Sequence, residues 1–121
     1  MLSITLCYVA EAHGNDEWPI SSSRATKDGA VVDVPQTTTA AARRTVAQRF
    51  EAEYLDGGTA PVRVVVDDPA TDAVEKTLAP WPVRFYLVRP DGVLDFVADP
   101  SECQLDWPDM EKRARAMAAQ R

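Results

Sequence analysis

The sequence predicts a single α/β domain spanning residues 1–121, and three observations indicate this class. Apolar runs rich in β-branched residues, typical of strands, alternate along the chain with segments of helical periodicity. A tight-turn signal joins the last two apolar runs as a hairpin. The hydrophobic fraction of 45% over 121 residues is enough for one core at a common domain size.

The first element is predicted to be a strand over Leu2–Val9, where β-branched and aromatic residues precede the polar segment Glu11–Asp16. Its nearly continuous apolar character is typical of a strand covered on both faces. Residues 15–28 are predicted to form a loop because they follow Gly14, contain a proline and three serines, and end at the Asp28-Gly29 turn signal. Residues 30–34 are predicted to be a short strand or a loop arm.

A helix is predicted over Thr37–Tyr54, and any one of its first three threonines could cap the N-terminus. Apolar residues recur every four positions and are expected to form its buried stripe: Ala42, Val46, Phe50 and Tyr54. Arg43 lies off this stripe, among the polar residues.

The remaining elements follow in alternating order. They are a strand at Val62–Val66, a short helix at Ala70–Leu78, a strand at Val83–Val88, a hairpin turn at Pro90–Gly92, a returning strand at Val93–Val97 and a final helix from Asp106 to about Ala119. A parallel part that leads into an antiparallel hairpin and a closing helix is typical of the back half of a thioredoxin-like sheet with flanking helices.

The composition excludes several classes of function. The net charge of -6 disfavours nucleic acid and anionic lipid as partners. One histidine and two cysteines, without a CxxC motif, do not predict a metal site. No apolar run approaches the roughly 18 residues of a membrane helix, and the start lacks the features of a signal peptide. The sequence predicts a soluble chain, with the cytoplasm favoured as its compartment.

Three segments, in order, are similar to the motifs of one known family. Tyr8–His13 (YVAEAH) followed by Asn15–Trp18 (NDEW) is similar to a Tyr-Ile-Glu-Glu-Ala-His…Asp-Gly-Trp signature. Val64–Asp67 is similar to a Val-Val-Val-Asp segment, and Trp81–Val88 resembles a Pro-x-Arg-Leu-Tyr-Val strand. Together these segments resemble the iodothyronine deiodinases. The matches extend over nearly the whole chain, and the first is the most specific.

This resemblance implies a thioredoxin-fold oxidoreductase that removes iodide from an iodinated aromatic such as thyroxine, as in thyroid hormone metabolism. The family uses a selenocysteine nucleophile and an external thiol reductant, and no other cofactor is implied. A selenolate suits this chemistry because it is soft and ionised. The resemblance puts the selenocysteine before Met1, and neither Cys7 nor Cys103 stands in for it. Whether this chain alone is an enzyme is therefore left open.

Without the segment that carries the nucleophile, the sheet is expected to be incomplete at its N-terminal, catalytic strand. Open strand edges would then favour self-association, and a homodimer is one form of it.

The resemblance assigns roles to three residues near the end of the first strand. His13 would donate a proton or contact the phenol, Glu11 would orient His13 or join a proton relay, and Trp18 would contact the iodinated ring. The residues alone also fit a solvated loop histidine beside an exposed carboxylate. Two departures from the family are Ala10, where the signature has glutamate, and Thr37 or a neighbour, where a second histidine is expected.

Asp67 and Arg84 complete the predicted catalytic set. Asp67 would belong to a hydrogen-bond network, or would cap the short helix that follows it. Arg84 would contact the substrate or the network, or would form an ion pair across the hairpin. The family match also predicts a cis peptide bond before Pro82. Trp107 is expected to pack in the core, although it could line the substrate pocket.

Two other functions stay open on the sequence alone. The chain could be part of a thioredoxin-like thiol or peroxide oxidoreductase, in which case the histidine signature is incidental. It could also be a non-catalytic domain that binds a partner through its edges or a pocket. The residues encoded upstream of Met1 would distinguish these functions from a dehalogenase.

Overall fold

The computed structural model describes residues 3–19, 34–55, 62–98 and 106–119. The elements in chain order are β1 (Ile4–Tyr8), α1 (Ala40–Phe50), a π-helical turn (Glu51–Leu55), β2 (Val62–Val66), α2 (Ala73–Leu78), β3 (Phe85–Val88), β4 (Leu94–Ala98) and α3 (Trp107–Ala119). The predicted α/β class is confirmed. The predictions for most of the loop at 15–28, for the arm at 30–34 apart from its last residue, and for Cys103 lie outside the described residues.

The fold consists of two compact units, Ile4–Pro82 and Val83–Arg121, the second of which also includes the first three residues. We call them the parallel unit and the hairpin unit. Each contains one two-stranded sheet among the described residues, so the single thioredoxin-like sheet remains a prediction. The Trp81–Pro82 peptide bond is cis, as the resemblance predicts. None of the helices in the described ranges has the length and apolar content of a membrane span.

The parallel unit is organised by the pairing of β1 with β2. The two strands run in the same direction, with Ile4 opposite Val62 and Tyr8 opposite Val66. Because both strands end at the same level, the residues that follow them lie at one edge of the sheet, where α/β proteins place their sites.

The prediction that both faces of the first strand are covered is wrong. Ile4 and Thr5 are exposed, and the remaining residues of β1 are only half-buried. The prediction assumed a strand in the middle of a sheet, but β2 is the only strand that pairs with β1 among the described residues.

Helix α1 begins after Thr39, whose extended backbone and side chain form the N-cap. Its Oγ1 accepts a hydrogen bond from the backbone nitrogen of Ala42 at 3.1 Å. The predicted buried stripe is wrong by one position, because the buried residues of α1 are Arg43 and Ala47 while Ala42 is exposed. Tyr54 is 63% exposed, since the π-helical turn changes the register of the side chains beyond α1.

The hairpin unit is built from neighbouring segments of the chain. β3 and β4 are antiparallel, and Arg89 closes the turn by donating to the carbonyl of Val93 at 2.9 Å. Gly92 has a φ of 84°, which favours glycine, and Pro90 occupies the second turn position as predicted.

Helix α3 contributes two contacts to the same unit. The ring of Trp107 packs edge-on against Phe85, with 4.7 Å between the centroids, although Trp107 is 57% exposed. The guanidinium of Arg113 lies 4.2 Å above the ring of Phe96. The expectation that Trp107 packs in the core is therefore met only in part, because more than half of its surface stays in solvent.

Candidate functional site

The end of β1 brings the first two signature residues together. The hydroxyl of Tyr8, the last residue of the strand, donates a short hydrogen bond to Oε1 of Glu11. Burial, and then this hydrogen bond and the charge of Glu11, raise the pKa of Tyr8 well above its ordinary value. Tyr8 is therefore a neutral donor throughout the physiological range. The structure bonds the Glu11 carboxylate to Tyr8 and gives no hydrogen bond from it to His13 among the described contacts.

His13 and Trp18 form a second pair, on the turn that follows. The backbone nitrogen of Trp18 donates to the carbonyl of Gly14 at 3.0 Å, which closes the turn. Nδ1 of His13 lies 3.1 Å from the carbonyl oxygen of Trp18, and the two rings are 5.0 Å apart at 53°. A carbonyl only accepts, so Nδ1 carries a proton in this bond and Nε2 is the nitrogen that can exchange one.

Both rings of this pair are accessible. His13 is exposed, and Trp18 is 63% exposed. An exposed indole that is held by a neighbouring ring offers a flat apolar face for an aromatic ligand. The arrangement therefore combines a proton-exchanging nitrogen and a stacking surface within one turn.

Gln36, which sequence reasoning missed, fastens this turn to the segment before α1. Its Oε1 accepts from the backbone nitrogen of Glu11 at 2.9 Å, and its Nε2 donates to the carbonyl of Glu11 at 3.0 Å and to Oε2 of Glu17 at 3.3 Å. Its own backbone nitrogen donates to Oδ1 of Asp16 at 2.8 Å. No local pattern around Gln36 signals this role, because its partners lie about twenty positions earlier in the chain.

Asp67 is 3% exposed and lies directly after β2. Its two carboxylate oxygens accept from the backbone nitrogens of Val74 and Glu75, each at 3.0 Å. The predicted helix cap is thus observed, and it acts across the loop, since Asp72 at the N-cap position itself makes no such bond. With both oxygens occupied, the carboxylate serves the N-terminus of α2.

Arg43 joins α1 to the edge on which the signature residues lie. It is 3% exposed, and it donates to Oγ1 of Thr37 at 2.9 Å, to the Thr37 carbonyl at 3.1 Å and to the Asp67 carbonyl at 2.8 Å. Asp67 also donates its backbone N–H to the Tyr8 carbonyl at 2.9 Å. We call Thr37, Arg43 and Asp67 the buried polar framework.

Arg84 belongs to the hairpin unit, where it is half-buried and directly precedes β3. The other predicted catalytic residues, Glu11, His13 and Asp67, all belong to the parallel unit. The intermediate burial of Arg84 fits either of its two predicted roles.

Cys7 provides the thiol closest to the signature residues along the chain. It is half-buried, and burial first and the charge of Asp67 second raise the pKa of its thiol. A thiol with a raised pKa is a poor nucleophile at neutral pH. In the ranges that the structure describes, no group of His, Cys, Asp and Glu side chains could hold a metal ion.

No protein-family model matches the chain, and no curated protein or solved structure is significantly similar to it.

Proposed function

We propose that this chain is the substrate-side part of a deiodinase-like reductive dehalogenase, an oxidoreductase that removes iodide from an iodinated aromatic such as thyroxine. The arrangement of the signature residues at the end of β1 supports the proposal. Tyr8 is hydrogen-bonded to Glu11, and the ring of His13 lies against the exposed ring of Trp18 at a tilt of 53°. A proton relay and an aromatic contact are the two functions that this reaction requires besides a nucleophile.

The proposed reaction converts an aryl iodide and two thiols into the arene, a disulfide and hydrogen iodide. A selenolate or thiolate supplied from outside these 121 residues takes the iodine, so that the electron pair of the carbon–iodine bond remains on the carbon. The carbon then gains a proton. A thiol reductant displaces iodide from the selenium or sulfur, and a second thiol restores the nucleophile by forming the disulfide.

In this scheme, residues of the parallel unit transfer the proton and bind the iodinated ring of the substrate. Nε2 of His13 exchanges the proton, because Nδ1 is held by the carbonyl of Trp18. Tyr8 and Glu11 form a relay beside it, and Trp18 stacks on the iodinated ring. Asp67 links this edge to α1 and α2 through its hydrogen bonds. The role of Arg84, which belongs to the hairpin unit, remains a prediction.

We further propose that the fold is of the thioredoxin-like type, incomplete at its catalytic strand. The parallel β1–β2 pair supports this assignment, and so does the antiparallel β3–β4 hairpin followed by α3. A homodimer would provide one partner for the open strand edges.

The test begins with the native transcript, read in frame upstream of Met1. We expect a selenocysteine or cysteine codon within a strand–loop–helix sequence. The protein that includes this segment should release iodide from an iodinated phenol in the presence of dithiothreitol. Replacing His13 with glutamine should lower the rate about a hundredfold, the usual contribution of a general acid or base.

The matched control is Gln48→Ala, at an exposed position of α1, which should leave the rate unchanged. Stop codons or unrelated sequence upstream of Met1 would rule out catalysis by this protein. Iodide release that is unaffected by His13→Gln would remove His13 from the mechanism.

A non-catalytic binding domain is the second candidate, and the raised pKa of Cys7 favours it. Among the described residues, Cys7 is the only thiol, and it is protonated at neutral pH. A transcript that starts at Met1, together with binding of iodinated phenol by the chain, would support this candidate. An upstream Cys-x-x-Cys segment would indicate a thiol oxidoreductase.

A further inference from the structure

We infer that Gln36 is a positioning residue for the signature turn, which we define as residues Glu11–Trp18. The inference rests on the function proposed for His13 and Trp18, because it explains how the pair is held in place. Hydrogen bonds join Gln36 to Glu11, Asp16 and Glu17, which lie on both sides of His13 in the sequence. The side chain of Gln36 makes the bonds to Glu11 and Glu17, and its backbone nitrogen makes the bond to Asp16.

The carboxamide of Gln36 imitates a backbone partner. Its Oε1 accepts from the N–H of Glu11 while its Nε2 donates to the carbonyl of the same residue. This reciprocal pair fixes the orientation of the Glu11 backbone, which lies shortly after the end of β1 at Tyr8 and carries the acceptor of the Tyr8 hydroxyl. A carboxylate or an apolar side chain at position 36 could not make both bonds.

The turn also approaches the Gln36 backbone so closely that a side chain at Gly14 would crowd it. A Cβ atom added to Gly14 would lie 3.0 Å from the Gln36 nitrogen and 3.1 Å from Oδ1 of Asp16. Asn15 adds a backbone bond to the Val34 carbonyl at 3.0 Å. The turn therefore packs against the segment before α1, and the side chain of Gln36 joins the two by hydrogen bonds.

His13 is the only histidine in the sequence, so its Cε1 proton gives a single assignable NMR signal. The neighbouring indole of Trp18 shifts this signal by its ring current. Trp18→Ala defines the value for an imidazole without the indole beside it, and the exchange rate of the Glu11 amide reports directly on its bond to Gln36.

We expect Gln36→Met to move the His13 signal most of the way to the value found in Trp18→Ala. Exchange of the Glu11 amide should become about tenfold faster, which corresponds to the loss of one typical hydrogen bond. Gln36→Glu keeps an acceptor but loses both donor bonds and adds a negative charge beside Glu17, so it should move the His13 signal in the same direction. Gly14→Ala should do so as well.

The control Gln48→Met should change neither readout. The Asp67 amide, bonded to the Tyr8 carbonyl, should exchange at the same rate in all of the variants, which shows that the β1–β2 pair is intact. If the Asp67 amide exchanged faster in Gln36→Met, the β1–β2 pair would be disturbed in that variant, and Gln36→Glu would take its place in the test. Wild-type values for His13 and Glu11 in a folded Gln36 variant would overturn the inference.

A separate titration with ortho-iodophenol distinguishes this inference from the proposed function. Binding to the wild type that weakens in Gln36→Met supports both. A displaced His13 signal in a protein that does not bind iodophenol supports the positioning role and contradicts the proposed function. Iodophenol binding together with an unmoved His13 signal in the Gln36 variants overturns the positioning role alone.

Discussion

The parallel unit and the hairpin unit obtain their structure in different ways. The parallel unit pairs Ile4 with Val62, so its strands meet across a long stretch of chain, whereas the hairpin unit pairs Leu87 with Phe96 across one turn. All of the polar residues found buried in the described chain, Thr37, Arg43 and Asp67, belong to the parallel unit. The ion pairs described in the hairpin unit are exposed.

This difference indicates what each kind of pairing requires. Closing a long loop costs more entropy than closing a short one, and a parallel pair has no tight turn to set its register. The buried polar framework links α1 to the ends of β1 and β2, and so supplies the fixed points that a turn supplies in the hairpin. We therefore expect substitutions of internal polar groups to have large effects in the parallel unit and small effects in the hairpin unit.

The largest effect is expected for Arg43→Met. The substitution removes the three hydrogen bonds of the buried guanidinium and leaves the Thr37 and Asp67 carbonyls without their donor. The free energy of unfolding should fall by about 3 kcal/mol, measured by urea denaturation. The exposed neighbour Arg44 is the matched control, and Arg44→Met should change it by less than about 0.5 kcal/mol.

Amide exchange in β3 and β4 sharpens this test. If Arg43 stabilises the parallel unit alone, the amides of β3 and β4 should exchange in Arg43→Met at the rates found in the wild type. Equal losses of stability in the Arg43 and Arg44 variants would contradict the structural role of the buried guanidinium.

An intermediate effect is expected for Asp67→Asn. Asparagine keeps one acceptor oxygen and places an NH₂ group against the second backbone N–H at the start of α2, so the unfolding free energy should fall by about 1 kcal/mol. Asp72→Asn is the control, because Asp72 makes no side-chain capping bond and asparagine tolerates its φ of 47°. Thermal denaturation of the two variants gives the comparison, and a greater loss in Asp72→Asn would contradict the cap assignment.

In the hairpin unit a smaller effect is expected for Arg113→Gln. Arg113 and Arg115 each form an ion pair with an acidic residue four positions earlier, but of the two only Arg113 also lies over the ring of Phe96. The difference between Arg113→Gln and Arg115→Gln in unfolding free energy therefore isolates the cation–π contact, which should contribute about 0.5 kcal/mol. Indistinguishable variants would mean that the contact contributes nothing measurable.

The smallest effect concerns pH. The pKa of Asp91 lies below its ordinary value of 3.8, chiefly because its carboxylate accepts from the Val93 N–H and then from Arg89. A lowered folded-state pKa contributes stability above the ordinary value and loses it as the pH falls through the folded one. Amide exchange at Val93 should accelerate as the pH falls below 3.8, after correction for the intrinsic rate, and Asp91→Asn should abolish this dependence.

The elements of the fold could be predicted from local patterns, because their causes are local. The Val62–Val66 strand and the Pro90–Gly92 turn are found at the predicted positions, since β-branched runs and a proline followed by glycine determine them directly. The helix predicted over Thr37–Tyr54 is α-helical only at Ala40–Phe50, because a capping threonine and a π-helical turn adjust its ends.

The internal polar contacts could not be predicted in the same way. Arg43 was placed on the polar side of α1 because periodicity treats every arginine as a residue for solvent. The structure buries it because backbone carbonyls and a hydroxyl converge on its guanidinium, and these come from Thr37 and Asp67. Gln36 was missed for a similar reason, since its partners are distant in sequence.

The site was predicted in part. The signature placed Glu11, His13 and Trp18 close together by their proximity along the chain, and their contacts now define two pairs, Tyr8–Glu11 and His13–Trp18. The roles of Glu11, His13, Trp18 and Arg84 in a reaction remain predictions.

Asp67 has a consequence for how variation among relatives of this protein should be interpreted. Its backbone N–H donates to the last residue of β1, and its carbonyl accepts from the arginine of α1. Both of its carboxylate oxygens accept from backbone N–H groups of α2. Only the carboxylate contacts depend on the residue type, so selection for the cap of α2 alone would hold an aspartate at this position. In a deep mutational scan scored for folded abundance, position 67 should rank among the positions least tolerant of substitution. Invariance at this position would then reflect folding rather than catalysis.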